Sequence, residues 1–208
     1  MQFPPGFFAR DDESADTRFY RAPRLVTHID AGAIDAVGAL YEELGVSGRV
    51  LDLMSSWVSH LRATPEHLAV LGLNRAELDA NPQAAERVVQ DLNEETALPF
   101  PDGSFDAVLC CVSIDYLVRP VAVLAEAARV LRPGAPVVLT FSNRLFPTKA
   151  VRGWLLASED ERCAIAAEYL RQAGGFTEPE ASLRTPPGPD RGGRYGGDPL
   201  YAVVARRR

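Results

Sequence analysis

The sequence is short of cysteine. Its 208 residues include three, Cys110, Cys111 and Cys163, without the spacing that metal ligands require. An odd count of this kind gives no disulfide framework and no metal centre, and it points to a reducing compartment. Long apolar runs are missing as well: no stretch approaches the roughly 18 residues that a membrane-crossing helix needs. The opening residues Met-Gln-Phe-Pro-Pro-Gly-Phe-Phe lack the basic and apolar segments of a secretory signal. A cytoplasmic location without a membrane partner is therefore expected. Basic residues are outnumbered, 22 Lys and Arg against 28 Asp and Glu, for a net charge of −6. That balance argues against a nucleic-acid partner, and the Arg206-Arg207-Arg208 run reads as a solvated chain end. No internal repeat is present. Nor does any Gly-x-Gly-x-x-Gly fingerprint open a helix, which excludes a nicotinamide-dependent oxidoreductase.

What is present is a regular alternation of elements. Arg49 to Leu53 is a short apolar run closed by one carboxylate, Asp52, and reads as a buried strand. Before it, Asp30 caps a helix whose apolar face is Ile34, Val37, Leu40 and Leu44, ended by Gly45. After it the pattern predicts a short helical piece over 55–61, a strand over 67–71 and a helix over 75–80. A strand over 87–90 follows, then a Pro- and Gly-broken loop over 93–104 and an apolar strand over 105–112. Pro120 opens a helix with Val123, Leu124, Ala127, Val130 and Leu131 on one face. A strand over 136–141, helices over 148–156 and 159–173, a weak strand over 176–183, a Pro/Gly-rich loop over 185–198 and a strand over 201–205 complete the chain. This order implies an α/β fold: a Rossmann-like, doubly wound, mostly parallel sheet of about seven strands with helices on both faces. The last strand is expected antiparallel at one edge. Residues 1–29, rich in Pro, aromatics and charge, are expected to form a lid or extension over a single domain of 30–208.

Ligands in such sheets bind beyond the strand ends. A glycine-rich turn is expected after the first strand, yet Met54-Ser55-Ser56-Trp57 holds no glycine.

Three stretches then resemble the class I S-adenosylmethionine-dependent methyltransferases, most closely the type 11 methyltransferase domains. They are Val50-Leu51-Asp52-Leu53, the Leu98-Pro99-Phe100-Pro101-Asp102-Gly103-Ser104-Phe105-Asp106 block, and Arg129-Val130-Leu131-Arg132-Pro133-Gly134. The likeness covers about residues 48 to 142. It implies S-adenosylmethionine as cofactor, S-adenosylhomocysteine as product and a small-molecule acceptor. By this resemblance Asp52, Leu53, Met54, Ser55 and Ser56 receive the methionine part of the cofactor. Asn74 stands where the family places a ribose-binding acid, Asp91 with Leu92 meets the adenine, and Cys111 lines the crevice. The residue types leave alternatives open: Asp52 as a cap, Asn74 as a helix N-cap, Cys111 as a small core residue.

Asp115 and Tyr116 follow the fourth strand, where the family places groups facing the transferred methyl. His60 lies just beyond the turn and is a candidate base. Tyr20 and His28 in the lid, and Asn143, Arg144 and Lys149 after the fifth strand, are candidates for acceptor binding. Alignment of the reacting atoms dominates methyl transfer, so no catalytic dyad is required. The altered turn and the missing ribose acid support a second reading, a catalytically inactive protein of the same fold acting as a regulatory or interaction partner.

Overall fold

A computed structural model describes residues 2–185, 188–189 and 195–208. In chain order the elements are α1 (Asp16–Phe19), α2 (Ala31–Glu43), β1 (Arg49–Leu53), β2 (His67–Gly72), α3 (Arg75–Ala80), β3 (Glu86–Val89) and β4 (Ala107–Cys111). A 3-10 turn (Ile114–Tyr116), α4 (Pro120–Val130), β5 (Pro136–Phe141), α5 (Arg152–Leu156) and α6 (Glu159–Ala173) follow. The chain ends with β6 (Glu180–Leu183), the two-residue strands β7 (Gly188–Pro189) and β8 (Tyr195–Gly196), and β9 (Tyr201–Arg206).

Seven strands form one sheet in the order β3-β2-β1-β4-β5-β9-β6. The first five run parallel, and β9 is antiparallel to both β5 and β6. The late antiparallel strand thus lies one place inside the edge, which β6 occupies. Strand residues alternate between two cores, as a sheet covered on both faces requires. Leu51, Leu53, Val108, Val137 and Leu139 face the α4, α5 and α6 side, whereas Val50, Ala107, Leu109 and Val138 face α2 and α3. Capping follows local chemistry. Asp30 accepts from the Ala33 N–H, and Ser158 with Glu161 forms a capping box at α6.

Several boundaries shift. No helix forms over 55–61: the chain runs as an irregular loop from β1 to β2. Its polar side chains are tied locally, Asn81 Nδ2 donating to Ser56 O at 3.2 Å and to Ser59 Oγ at 3.0 Å. Such local bonds compete with helical pairing. The 148–156 helix contracts to α5, and the weak 176–183 strand contracts to β6. The 185–198 loop falls partly outside the described residues.

The N-terminal residues are bound to the domain along two seams. Phe3, Phe7 and Phe8 cluster on Tyr169 of α6, and a Cβ at Gly153 would meet the Phe7 ring at 2.1 Å. Further along, Asp16 takes two hydrogen bonds from Arg10 Nη1, at 2.9 and 2.8 Å, and an ion pair with Lys149 Nζ at 3.0 Å. Lys149 is fully buried and also donates to the Asp12 and Ser14 carbonyls. Removing one member of a buried ionic group leaves an uncompensated charge. Lys149→Met should therefore lower stability by about 3 kcal/mol, read as a fall in the urea midpoint, with earlier proteolysis of residues 10–20.

Candidate functional site

The strand order reverses between β1 and β4, the point at which open α/β sheets leave a crevice beyond their strand ends. A cavity of about 420 Å³ opens there. Asp52 and the 54–58 loop, Gly72 to Asn74, Gln90 to Asn93, and Cys111 to Ser113 form its floor. Asp16, Tyr20, Arg24, Val26, Thr27 and His28 from the N-terminal strap, with Asn143 to Phe146, form its roof.

The glycine-free turn takes the backbone shape that glycine would have supplied. Met54 has φ 53°, and two other cavity residues, His60 and Val112, have φ 55° and 47°. Left-handed backbone costs an L-residue roughly 1–2 kcal/mol, and a β-branched one such as Val112 is disfavoured further. The close approach normally granted by a glycine in the turn is granted by a glycine across from it. Ser55 N donates to Leu71 O at 2.8 Å, and a Cβ on Gly72 would stand 2.2 Å from the Ser55 carbonyl oxygen.

Around this turn the polar side chains interlock. Asp52 is almost fully buried and accepts from Ser55 Oγ at 2.6 Å. Burial pushes its carboxyl up to about 6, against the lowering effect of Ser55 and Ser59. Ser56 Oγ donates to Glu77 at 2.6 Å. Asp91 follows β3, caps the Asn93 N–H at 2.9 Å and is raised by burial. Leu92 is buried beside it. Asn93 Nδ2 donates to Asp16 and to the Tyr116 carbonyl, both at 2.9 Å, which joins strap and floor. Burial alone would raise Asp16, but the hydrogen bonds from Asn93, Arg10 and Lys149 outweigh it and hold the carboxyl low.

The structure brings thirteen of the candidates to the cavity with side chains available and places four differently. Asp52, Met54, Ser55, Ser56, Asp91, Leu92, Cys111, Tyr116, His60, Tyr20, His28, Asn143 and Arg144 all line the cavity. Leu53 instead points into the core. Lys149 is consumed by the strap network. Asn74 lines the cavity, but its amide is fully committed. Oδ1 caps α3 through the Ala76 and Glu77 N–H groups, and Nδ2 donates to the Tyr20 and Arg21 carbonyls. Asp115 does not line the cavity and is buried with Oδ2 unpartnered. Burial pushes it up to about 7, and Tyr169, whose own hydroxyl is unpartnered, is raised by burial and then by Asp115. The 3-10 turn explains the difference: its tight rise sends successive side chains to different sides, so Tyr116 lines the cavity and Asp115 does not.

The roof is aromatic. Phe146 lies 5.5 Å from Phe19, 6.3 Å from Tyr20, 5.3 Å from His28 and 6.1 Å from Tyr116 between ring centroids. The Arg24 guanidinium sits over the Phe19, Tyr20 and Phe146 rings at 4.7–5.4 Å. Trp57 Nε1 donates to Val26 O at 3.1 Å, and Tyr116 OH accepts from Phe146 N at 2.9 Å. Asp16, Arg24, Glu77, Asn93 and Phe146 were not among the sequence candidates. Only the aromatic density of Phe19-Tyr20 and of the 141–146 loop hinted at this roof.

Residues 44–139 match the methyltransferase domain family. Over that stretch the chain is similar to the methyltransferase domain, and its sheet has the Rossmann-like fold of the solved methyltransferase structures it superposes on. Among curated relatives, the ubiquinone biosynthesis O-methyltransferase of Xanthomonas oryzae pv. oryzae (strain PXO99A) is 29% identical over 115 residues, 53% of this chain and 46% of that protein. The ubiquinone/menaquinone biosynthesis C-methyltransferase of Geobacter sulfurreducens is 34% identical over 116 residues, covering 48% and 45%. The chain thus spans about half the length of the curated relatives it matches. Among solved structures, the [4+2]-cyclase SpnF superposes with a TM-score of 0.61 at 15% identity, over 92% of this chain and 91% of that one. Geranyl diphosphate C-methyltransferase from Streptomyces coelicolor A3(2), in complex with S-adenosyl-L-homocysteine, gives 0.55 at 15% identity over 84% and 77%. At such identities these two show the fold.

Asp52 and Asp115 make stability depend on pH with a definite sign. Both hold their proton in the folded protein at pH values where an unfolded carboxyl, near 3.9, has released it. Their contribution is complete below about pH 4 and is lost as pH rises through about 6 and 7. Asp115→Asn should reduce the stability lost between pH 5 and 8 by ~2 kcal/mol, measured by urea unfolding at both pH values.

Proposed function

We propose that this chain transfers a methyl group from S-adenosylmethionine to a small-molecule acceptor. The observation that carries the reading is the cavity itself. It lies at the topological switch point of a methyltransferase-fold sheet, and carboxylates stand at the ends of β1 and β3 where the cofactor's two ends would lie. Its volume falls within the range of about 300–1,000 Å³ typical of small-ligand sites. The residues present suit the cofactor. Asp52, set behind the Ser55 hydroxyl, can accept from an ammonium group, and the 54–56 turn presents backbone and hydroxyl donors to a carboxylate. Asp91 and the buried Leu92 offer an acceptor and an apolar surface for the adenine.

When bound, S-adenosylmethionine supplies an electrophilic sulfonium methyl. The chain's task is then to align the acceptor atom and to exclude water. The Tyr20, Tyr116 and Phe146 wall and the strap serve both ends. Burial lowers the pKa of His60 and of His28, which keeps each imidazole neutral and able to take a proton at pH 7. Either serves as general base when the acceptor is protonated. The quinone-pathway names of the curated relatives suit an acceptor held against aromatic side chains. The net acidic charge, the three free thiols and the absence of a helix long and apolar enough to cross a membrane, among the described residues, fit a small acceptor in the cytoplasm.

A second reading, a catalytically inactive protein of the same fold acting as a regulatory or interaction partner, has support in the committed amide of Asn74. Calorimetric titration separates the two. S-adenosylhomocysteine should bind with heat and raise the Tm, and silence at millimolar ligand defeats the methyltransferase reading. Asp91→Ala should weaken binding about tenfold, the value of one hydrogen bond to a charged acceptor, and an unchanged affinity refutes the adenine assignment.

A further inference from the structure

Four carboxylates line the cavity, those of Asp16, Asp52, Glu77 and Asp91. Three are accounted for. Asp16 is neutralised by Arg10 and Lys149. Asp52 is buried beneath Ser55 with its carboxyl raised, and Asp91 belongs to the β3 end. Glu77 stands apart. It is half-buried in the first turn of α3, and its two oxygens meet only neutral donors: Arg24 N on Oε1 at 2.7 Å and Ser56 Oγ on Oε2 at 2.6 Å. Each oxygen retains a lone pair, and no ion-pair partner for Glu77 occurs among the described residues. The carboxylate is fixed between the β1 turn and the start of the helix that follows β2. That is the region where nucleotide-binding α/β sheets present an acid, roughly 20 residues after the first strand, to a ribose.

Asn74, the residue at the end of β2, cannot take that part while the strap is closed. Both donors of its amide are spent on the Tyr20 and Arg21 carbonyls, and its oxygen is spent on two helix N–H groups. We infer that Glu77 is the carboxylate that accepts the ribose hydroxyls of an adenosine-containing cofactor in this chain, and that Asn74 has become a latch for the strap. The inference rests on the cofactor reading above. It adds a consequence of its own: because Glu77 also holds Arg24 N, one side chain senses the ribose and the strap together.

The test compares two ligands by calorimetry, S-adenosylhomocysteine and its 2′-deoxyribose analogue. The intact protein should prefer the hydroxylated ligand by about 10- to 100-fold, the range for hydrogen bonds to a charged group. Glu77→Ala should bring the two affinities to within about twofold of each other. Glu77→Gln, which keeps an acceptor for Arg24 N, should keep the fold and lose most of the preference. A preference that survives in both variants overturns the assignment, whether or not their overall affinity falls, since a role confined to strap support weakens both ligands alike. Failure of the intact protein to bind either ligand overturns this assignment together with the cofactor reading. Binding with an unaltered preference in the variants overturns this assignment alone.

Discussion

The site depends on how closely one carbonyl oxygen lies against one α-carbon. Ser55 O occupies the volume that a side chain at Gly72 would need, and Ser55 N completes the approach by donating to Leu71 O. The turn is thereby pinned to β2, and the backbone at Met54 is forced into the left-handed region. The same pinning sets Ser55 over Asp52 and Ser56 against Glu77. Space between two strands is shared, so a glycine on either side can provide it. Here the sequence provides it on β2 and tolerates a methionine in the turn, at a conformational cost of about 1–2 kcal/mol.

Above this floor the strap is held by interactions of different kinds. Buried ions fix it near Asp16, carbonyl-to-amide bonds fix it at Asn74, and a guanidinium stacked on three rings fixes it at Arg24. Buried ion pairs add little net stability, yet they are unforgiving of the loss of a partner. They register the strap in one position. The stretch from Arg21 to His28 carries no ion pair among the described residues and is tied instead by Arg24 N on Glu77, by the Arg24 guanidinium over the Phe19, Tyr20 and Phe146 rings and by Trp57 on Val26 O.

Much of this was legible in the chain. Asp30, Gly45, Asn74, Pro120 and Gly174 mark helix ends that lie within a residue or so of those observed. The five parallel strands follow from their short apolar runs. The antiparallel strand was foreseen, but its place inside the edge was not, because strand order depends on long-range pairing that no local pattern encodes. In the site, Asp52, Asp91 and Cys111 near the strand ends line the cavity, whereas Leu53 points into the core and the Asn74 amide is spent on the strap and on α3. Side chains on short turns were not oriented by the sequence. Asp115 and Tyr116 are adjacent in sequence and both buried, yet only Tyr116 lines the cavity, a distinction made within one 3-10 turn. Lys149 read as an acceptor-binding cation because its partners, Asp12 and Asp16, lie more than a hundred residues earlier. The 55–61 helix failed because Ser56, Ser59 and Asn81 bind one another and the backbone instead.

The stretch that matches the methyltransferase domain family, 44–139, builds the floor of the cavity, while its ceiling comes from residues 16–28 and 143–146, outside that stretch. The matched stretch and the rest of the chain therefore occupy separate surfaces of one cavity. Substitutions in the ceiling alter the shape and charge of the cavity and leave the strand-end carboxylates in place. Such a division lets the shape of the roof vary without disturbing the turn beneath it, and a boundary drawn at 44–139 would leave that roof out.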